Sequence, residues 1–381
     1  MTRHTGAILA QAEVSAPVVR VDPWRQSPAL SLPERWDALA SHACEPNPFF
    51  ERWALKPALE QFDGDESVLL FTLLDQDELV GLMPLTRSRD YYDHAIPHVS
   101  IWLHHNAFCG APLVATGYET IFWSSLLEWA DSSGNLVPFL HLAGLPAGGQ
   151  LHTALRDVAR LQGRPATIVQ EDERALLVSD LSPEDYFAQS MSSKKRKELR
   201  RQHKRLSEQG DLVFLRWSDA EGIDEWISSY LALEQAGWKG KQSTALADAA
   251  QTRTFFADAL AGAAHAGRLE RLSLELDGRQ IAMLASFITP PGAYSFKTTF
   301  DEEYARFSPG VLLQRENLAL LDQDDIAWCD SCAAADHPMI ERIWREKRTI
   351  LRVNVALGGM IRRHAMRALA RIETGSFPKG L

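Results

Sequence analysis

The feature that most constrains this chain is an order of elements that occurs twice. ESVLLFTLL and LVGLMPLTR flank the turn DQDE as a hairpin, and AIPHVSIWLHH follows over 95–105 as a third strand. A helix from about Tyr118 to Ala130 comes next, then the strand NLVPFLHL, a helix over Leu151 to Leu161 and a strand ending near Val178. The later half runs the same way. RLSLELDG and RQIAMLASFI turn at Asp277-Gly278, AYSFKTTF is a third strand, and PGVLLQRENLALL is a helix. DIAWCDSC then reads as a strand, HPMIERIWREKR as a helix and ILRVNVAL as a closing strand. Such alternation predicts a mixed α/β fold made of two similar modules, each a mostly antiparallel sheet flanked by helices. The expected modules are 1–180 and 181–381, joined at Ser179-Asp180-Leu181-Ser182-Pro183, where turn residues precede a basic helix over 184–209.

Two modules also suit a chain of 381 residues, which is more than one core usually supports. No apolar run reaches the ~18 residues that cross a bilayer. MTRHTGAILAQAEV lacks the pattern of an export signal, and four cysteines are too few for a disulfide framework, so a cytoplasmic protein is expected. The net charge of −10 conceals KKRKELRRQHKR, 194–205, with eight basic residues against one glutamate. That segment reads either as a solvated helix docked through Leu199 and Leu206 or as a ridge for a local anionic partner.

Dinucleotide, P-loop, zincin and nucleophile-elbow motifs are absent from the sequence. Cys329 and Cys332 have CxxC spacing, but on a strand they would face opposite sides, and His94, His98, His104 and His105 lack a ligand spacing. No metal is expected. The richest stretch is YSFKTTFDEEYARFSPG, 294–310. Strand alternation puts Tyr294, Phe296, Thr298 and Phe300 on a core face, and Ser295, Lys297, Thr299 and Asp301 on the other, which predicts a polar cleft or else the solvated side of an edge strand. Ser308 fits an N-cap, Pro309 the first helical position, and Gly310 a close approach of ligand to backbone. A helix start directly after a sheet strand can hold an anion, and Arg306 could add a phosphate contact.

The second dense stretch is LEQAGWKGKQST, 233–244. Ile223, Ile227 and Leu231 form an apolar stripe, and Glu234 falls at its next step. A semi-buried carboxylate there suits a general base, or else an ion pair with Lys239 that fixes the helix end. Gly237 is expected to end the helix, leaving Trp238-Lys239-Gly240 as a loop.

At these residues the sequence resembles the FemAB/CelD-like branch of the GNAT superfamily. The matching pieces are Leu233-Glu234 with Gly237-Trp238-Lys239-Gly240, the hairpin LDGRQIAMLASF, and Tyr294-x-x-Lys297 with Asp301, Tyr304 and Ser308-Pro309-Gly310. The likeness runs from about Ser182 to Leu357, and Pro48-Phe49-Phe50, Gly81 to Leu85 and Gly110 to Leu113 give the first half the look of a degenerate partner module. The resemblance implies transfer of an acyl group from acyl-CoA to an amine acceptor, in cell-envelope or polysaccharide metabolism. It places the acyl-pantetheine arm along 293–300, with Trp238, Lys239 and Thr298 among the donor contacts, and the pyrophosphate at Arg306, Ser308 and Gly310. Glu234 would deprotonate the amine, Lys297 would stabilise charge or orient the acceptor, and Tyr294 or Tyr304 would protonate the thiolate, with Asp301 beside them. The superfamily's usual [QR]-x-x-G-x-[GA] loop is replaced here by Arg306-Phe307-Ser308-Pro309-Gly310. Aminoacyl-tRNA therefore stays open as the donor, with the basic helix as its support, and so does a non-catalytic accessory role in polysaccharide biosynthesis. The tail LGGMIRRHAMRALARIETG reads as a basic amphipathic helix with Ile361, Met366, Leu369 and Ile372 opposing arginines. It either packs on its own domain or makes a peripheral membrane contact.

Overall fold

The computed structural model describes residues 16–132, 137–335, 337, 339–378 and 380–381. The N-terminal stretch read for an export signal and the start of the strand NLVPFLHL lie outside the described residues. The first half supplies β1 (Val18–Pro23), α1 (Pro33–His42), α2 (Arg52–Phe62), β2 (Leu69–Asp75), β3 (Glu78–Ser88), β4 (His98–Ile101) and β5 (Leu113–Val114). It continues with α3 (Glu119–Ser132), β6 (Phe139–Pro146), α4 (Gln150–Leu161) and β7 (Ala166–Leu177). The second half supplies α5 (Pro183–Ser190), α6 (Ser193–Ser207), β8 (Leu212–Trp217), α7 (Ile223–Ala236), α8 (Trp238–Lys241), α9 (Ala250–His265), β9 (Leu269–Leu276) and β10 (Arg279–Thr289). After these come β11 (Gly292–Phe300), α10 (Pro309–Glu316), β12 (Trp328–Asp330), β13 (Glu346–Ala356) and α11 (Met360–Thr374).

All strands join one sheet in the order β1-β2-β3-β4-β6-β13-β7-β12-β11-β10-β9-β8, with β5 attached to β3. Read inward from either end, the pairings match. Three antiparallel steps lead to a parallel one, β4 with β6 and β11 with β12. The two halves then exchange their last strands. β13 pairs with β6 of the first half, β7 pairs with β12 of the second, and β7 and β13 pair with each other at the centre. The repeated order thus becomes a pseudo-twofold sheet whose halves share a seam.

Local chemistry explains the hairpins. Gln76 and Asp77, and again Asp277 and Gly278, all have positive φ, as the two-residue turns that match strand twist require. Several expected elements differ. The basic segment 184–209 is two helices, α5 and α6, divided where Ser192 caps Lys195 N–H; Leu199 and Leu206 are its buried stripe. PGVLLQRENLALL is α-helical only to Glu316 and continues as a 3-10 turn. Among the described residues HPMIERIWREKR forms no α-helix. Only Ile340–Arg342 makes a 3-10 turn, and Glu346 already belongs to β13. Its charges are met across the fold instead, Glu346 accepting from Tyr186 Oη (2.6 Å) and Arg348 pairing with Asp330 (3.2 Å). In α11 the apolar residues do not share a face: Met366 and Ala370 are buried, whereas Ile361 and Ile372 point outward.

The larger core crosses the seam. Phe49 and Trp53 of the first half meet Phe287, Tyr294 and Phe296 of the second, with ring centroids 4.8–6.1 Å apart. Tyr294 Oη donates to Pro46 O (2.8 Å), so β11 is braced from the other half.

Candidate active site

The parallel pair β11–β12 holds only from Gly292–Trp328 to Tyr294–Asp330. Past Tyr294 the strands part and a cleft of about 470 Å³ opens between them. β11 lines it with Ser295, Phe296, Lys297, Thr298 and Phe300, and the segment after β12 lines it with Ser331, Cys332, Ala333 and Ala334. Trp238, Lys239, Gln314, His337, Met339, Ile340 and Phe108 complete the wall. In the first half the matching gap beyond β4 and β6 is filled by the chain itself. Gly110 N–H donates to Gly144 O (2.8 Å), and a Cβ on Gly110 would fall 1.9 Å from Ala143 O.

Strand alternation along β11 is interrupted. Ala285 opposes Lys297 while Ser286 opposes Ser295, so Phe296 is an extra residue, a β-bulge. Cross-strand partners share a face, so Lys297 and Thr299 join Tyr294 on the α7 side, and Thr298 and Phe300 join Ser295 on the α10 side. The predicted division of this strand into Tyr294, Phe296, Thr298 and Phe300 against Ser295, Lys297, Thr299 and Asp301 is therefore corrected at the bulge. Lys297 Nζ sits 5.1 Å from the Phe108 ring and 5.3 Å from that of Phe296. Burial, reinforced by the nearby Lys239 cation, lowers its pKa to about 8, against the opposing pull of Glu234.

Glu234 is buried on α7, the continuation of a stripe made by Ile223, Trp226, Ile227 and Tyr230. Oε1 accepts from Lys239 Nζ (2.6 Å) and Oε2 from Leu246 N–H (2.8 Å). Both oxygens are thus engaged, and the expected ion pair with Lys239 is present. Gly237 ends α7 as expected, and Trp238-Lys239-Gly240 forms the short helix α8 instead of a loop. Glu234→Gln should keep the Leu246 contact and free a half-exposed Lys239, lowering stability by about 1–2 kcal/mol in urea titration.

Ser308 precedes α10 in a left-handed conformation (φ 55°), with no side-chain cap bond. Pro309 has no N–H, and Val311 and Leu312 both donate to Ser308 O (2.9 and 3.0 Å). Gly310 is left as the position where an anion would meet the helix start. A hollow of about 190 Å³ lies there, lined by Phe300, Ala305, Ser308 to Val311, Met339 and Arg342. Arg306 lies elsewhere. Its guanidinium covers the Phe307 ring at 4.7 Å, and it lines a hollow with Arg201 and Arg205 of α6.

Neither tyrosine lines the cleft or the hollow. Tyr294 is fully buried, with burial driving its pKa far up, and the half-buried Tyr304 packs on the second core. Asp301 accepts from Glu303 N–H (3.0 Å) and is paired with Arg279, so it caps the following turn. Sequence reasoning missed Phe108, Gln314, the 331–334 segment and Arg342. Phe108 comes from the other half, and CxxC spacing points to metal or redox chemistry, not to a cleft wall. Among the described residues no group of three His, Cys, Asp or Glu side chains could hold a metal.

Residues 193–338 match the family described as the acetyltransferase (GNAT) domain. No curated protein matches the chain in sequence. Among solved structures, FemX is similar over 90% of this chain and 98% of its own, at 11% identity and a TM-score of 0.56. A conserved protein of unknown function from Bacteroides thetaiotaomicron VPI-5482 is similar over 86% and 96%, at 12% identity and a TM-score of 0.54. The C-terminal domain of a putative lysylphosphatidylglycerol synthetase from Agrobacterium fabrum is similar over 92% and 99%, at 11% identity and a TM-score of 0.51. The second half therefore contains a GNAT acetyltransferase domain. Around that segment, nearly the whole chain shares its fold with FemX.

Proposed function

We propose that the protein moves an acyl group from acyl-CoA to an amine acceptor, with the chemistry in the 181–381 module and the 1–180 module as its support. The observation that carries this reading is the opening beside β11. A strand edge that has lost its partner offers backbone donors and acceptors to an extended chain bearing amides, as the pantetheine arm does. The hollow at Gly310 suits the pyrophosphate, with Arg342 in the part first given to Arg306. Lys297, protonated below about pH 8, stabilises the oxygen as the thioester carbonyl becomes tetrahedral. The incoming amine forms the amide bond, the C–S bond breaks, and the proton lost from the nitrogen is taken up by the departing thiolate. With Glu234 holding Lys239, that pair serves to position α8 and tune Lys297. We place the acceptor among amine-bearing cell-envelope or polysaccharide precursors, as the family resemblance implies.

A second reading, aminoacyl-tRNA as donor, is favoured by one feature. Lys194, Lys195, Lys197, Arg200, Arg201, Lys204 and Arg205 are exposed on α6, next to Arg306. Thiol release from acetyl-CoA, measured with a panel of amines, tests the first reading. Release no faster than with heat-denatured protein, together with salt-sensitive turnover of aminoacyl-tRNA, would favour the second.

A further inference from the structure

Helix α11 has two faces of opposite character. Inward, Met366 and Ala370 are buried, Arg363 donates to Gln162 O (3.0 Å), and Glu373 accepts from Tyr91 Oη (2.6 Å). Outward, Ile361, Ala365, Ala368 and Ile372 follow one another at steps of four, three and four, which makes one continuous stripe. Ile361 and Ile372 are 87% and 82% exposed, Met360 at the helix start is 77% exposed, and Leu161 at the end of α4 is 86% exposed. These are the four most exposed large apolar side chains among the described residues. The bonds from Arg363 to the carbonyls of Gln162 and Gly163 bring Leu161 beside the start of α11.

Cations follow the same surface. Arg367 and Arg371 flank the stripe, and the Arg371 guanidinium lies 4.7 Å over the ring of Phe377, itself 58% exposed. Arg367 also lines a hollow of about 470 Å³ with Arg156 and Arg160, beside an Arg164 that is buried and paired with Asp131 (2.6 Å). Guanidinium groups around an open hollow suit phosphate oxygens. Highly exposed apolar side chains bordered by arginines match the two layers of an anionic lipid surface, acyl chains below and phosphates above.

We propose that this face docks onto the surface of an anionic lipid bilayer. Helix α11 lies in the interface plane, Ile361, Ile372, Met360 and Leu161 enter the acyl boundary, and the arginines meet headgroup phosphates. Sedimentation of the full chain with vesicles tests it. Wild-type protein should pellet with phosphatidylcholine vesicles containing phosphatidylglycerol, and not with phosphatidylcholine alone. The double variant Ile361→Glu/Ile372→Glu should partition at least about tenfold less, and Arg367→Glu roughly fivefold less. These side chains are exposed, so an unchanged melting temperature will show that the variants fold. Equal sedimentation of wild type and double variant would overturn the proposal. So would binding of inorganic phosphate without vesicle binding, or a dimer in size-exclusion chromatography that the double variant splits while vesicles leave the wild type in solution.

Discussion

Lys297→Met should make the protein more stable at neutral pH and cut acyl transfer by on the order of 10²–10³-fold. The two effects have one origin. Lys297 is held between Phe108 and Phe296, near the Lys239 cation, and this environment disfavours its charge. Its pKa in the fold is about 8, against ~10.4 in an unfolded chain. Below about pH 8 both states carry the proton, and the fold bears the full penalty of burying it. From there to ~10.4 only the unfolded chain is protonated, so wild-type stability climbs with pH across that window. Methionine fills a similar volume without charge, so the variant should gain on the order of 2 kcal/mol at pH 7. That advantage should shrink above pH 8, as urea titration at several pH values will show. Transfer by the wild type should decline above the same pH, because the stabilising cation is lost. A rate that rises through pH 8 would mean the neutral amine acts as a base.

The largest loss of stability should come from Asp330→Asn, about 3–5 kcal/mol in urea titration. Asp330 is fully buried at the end of β12. Its carboxylate is 2.7 Å from Arg174 Nε on β7, accepts from Arg174 Nη2 (2.7 Å) and from Arg348 Nη1 on β13 (3.2 Å). One carboxylate thus answers two guanidinium groups at the seam of the exchanged strands. Without its charge, both cations stay buried and unpaired. The same residue governs the cleft, because Asp330 Oδ1 accepts from Cys332 N–H (2.9 Å) and Arg174 donates to Phe108 O (2.8 Å). Both partners line the cleft, so KM for the donor should rise as well. A loss of stability under about 1 kcal/mol would mean that the pair has little net value, as some buried ion pairs do.

What the sequence made legible is local. Turn chemistry gave the hairpins at Gln76-Asp77 and Asp277-Gly278, and helical spacing gave the buried stripe that ends in Glu234. Leu199 and Leu206 were enough to dock the basic helix. What escaped depends on distant partners. Alternation cannot reveal a bulge, so Lys297 was grouped with Ser295 although the two face opposite sides. HPMIERIWREKR has the composition of a helix, but Glu346 and Arg348 belong to β13 beside β7, where Tyr186 and Asp330 meet them. The strand exchange is a choice between equivalent edges, and no local preference encodes it. For the same reason Phe108 could not be assigned to a cleft built by the other half.

The central claim is that the gap beside β11 receives an acyl thioester. Its most direct test is the melting temperature with saturating acetyl-CoA, for wild type and for Ala333→Trp, a substitution that fills the cleft wall. Ligand at a hundredfold its Kd stabilises the native state by about 2.7 kcal/mol, so the wild type should show a clear rise and the filled variant little or none. No rise with any acyl-CoA, or the same rise in both proteins, would contradict it.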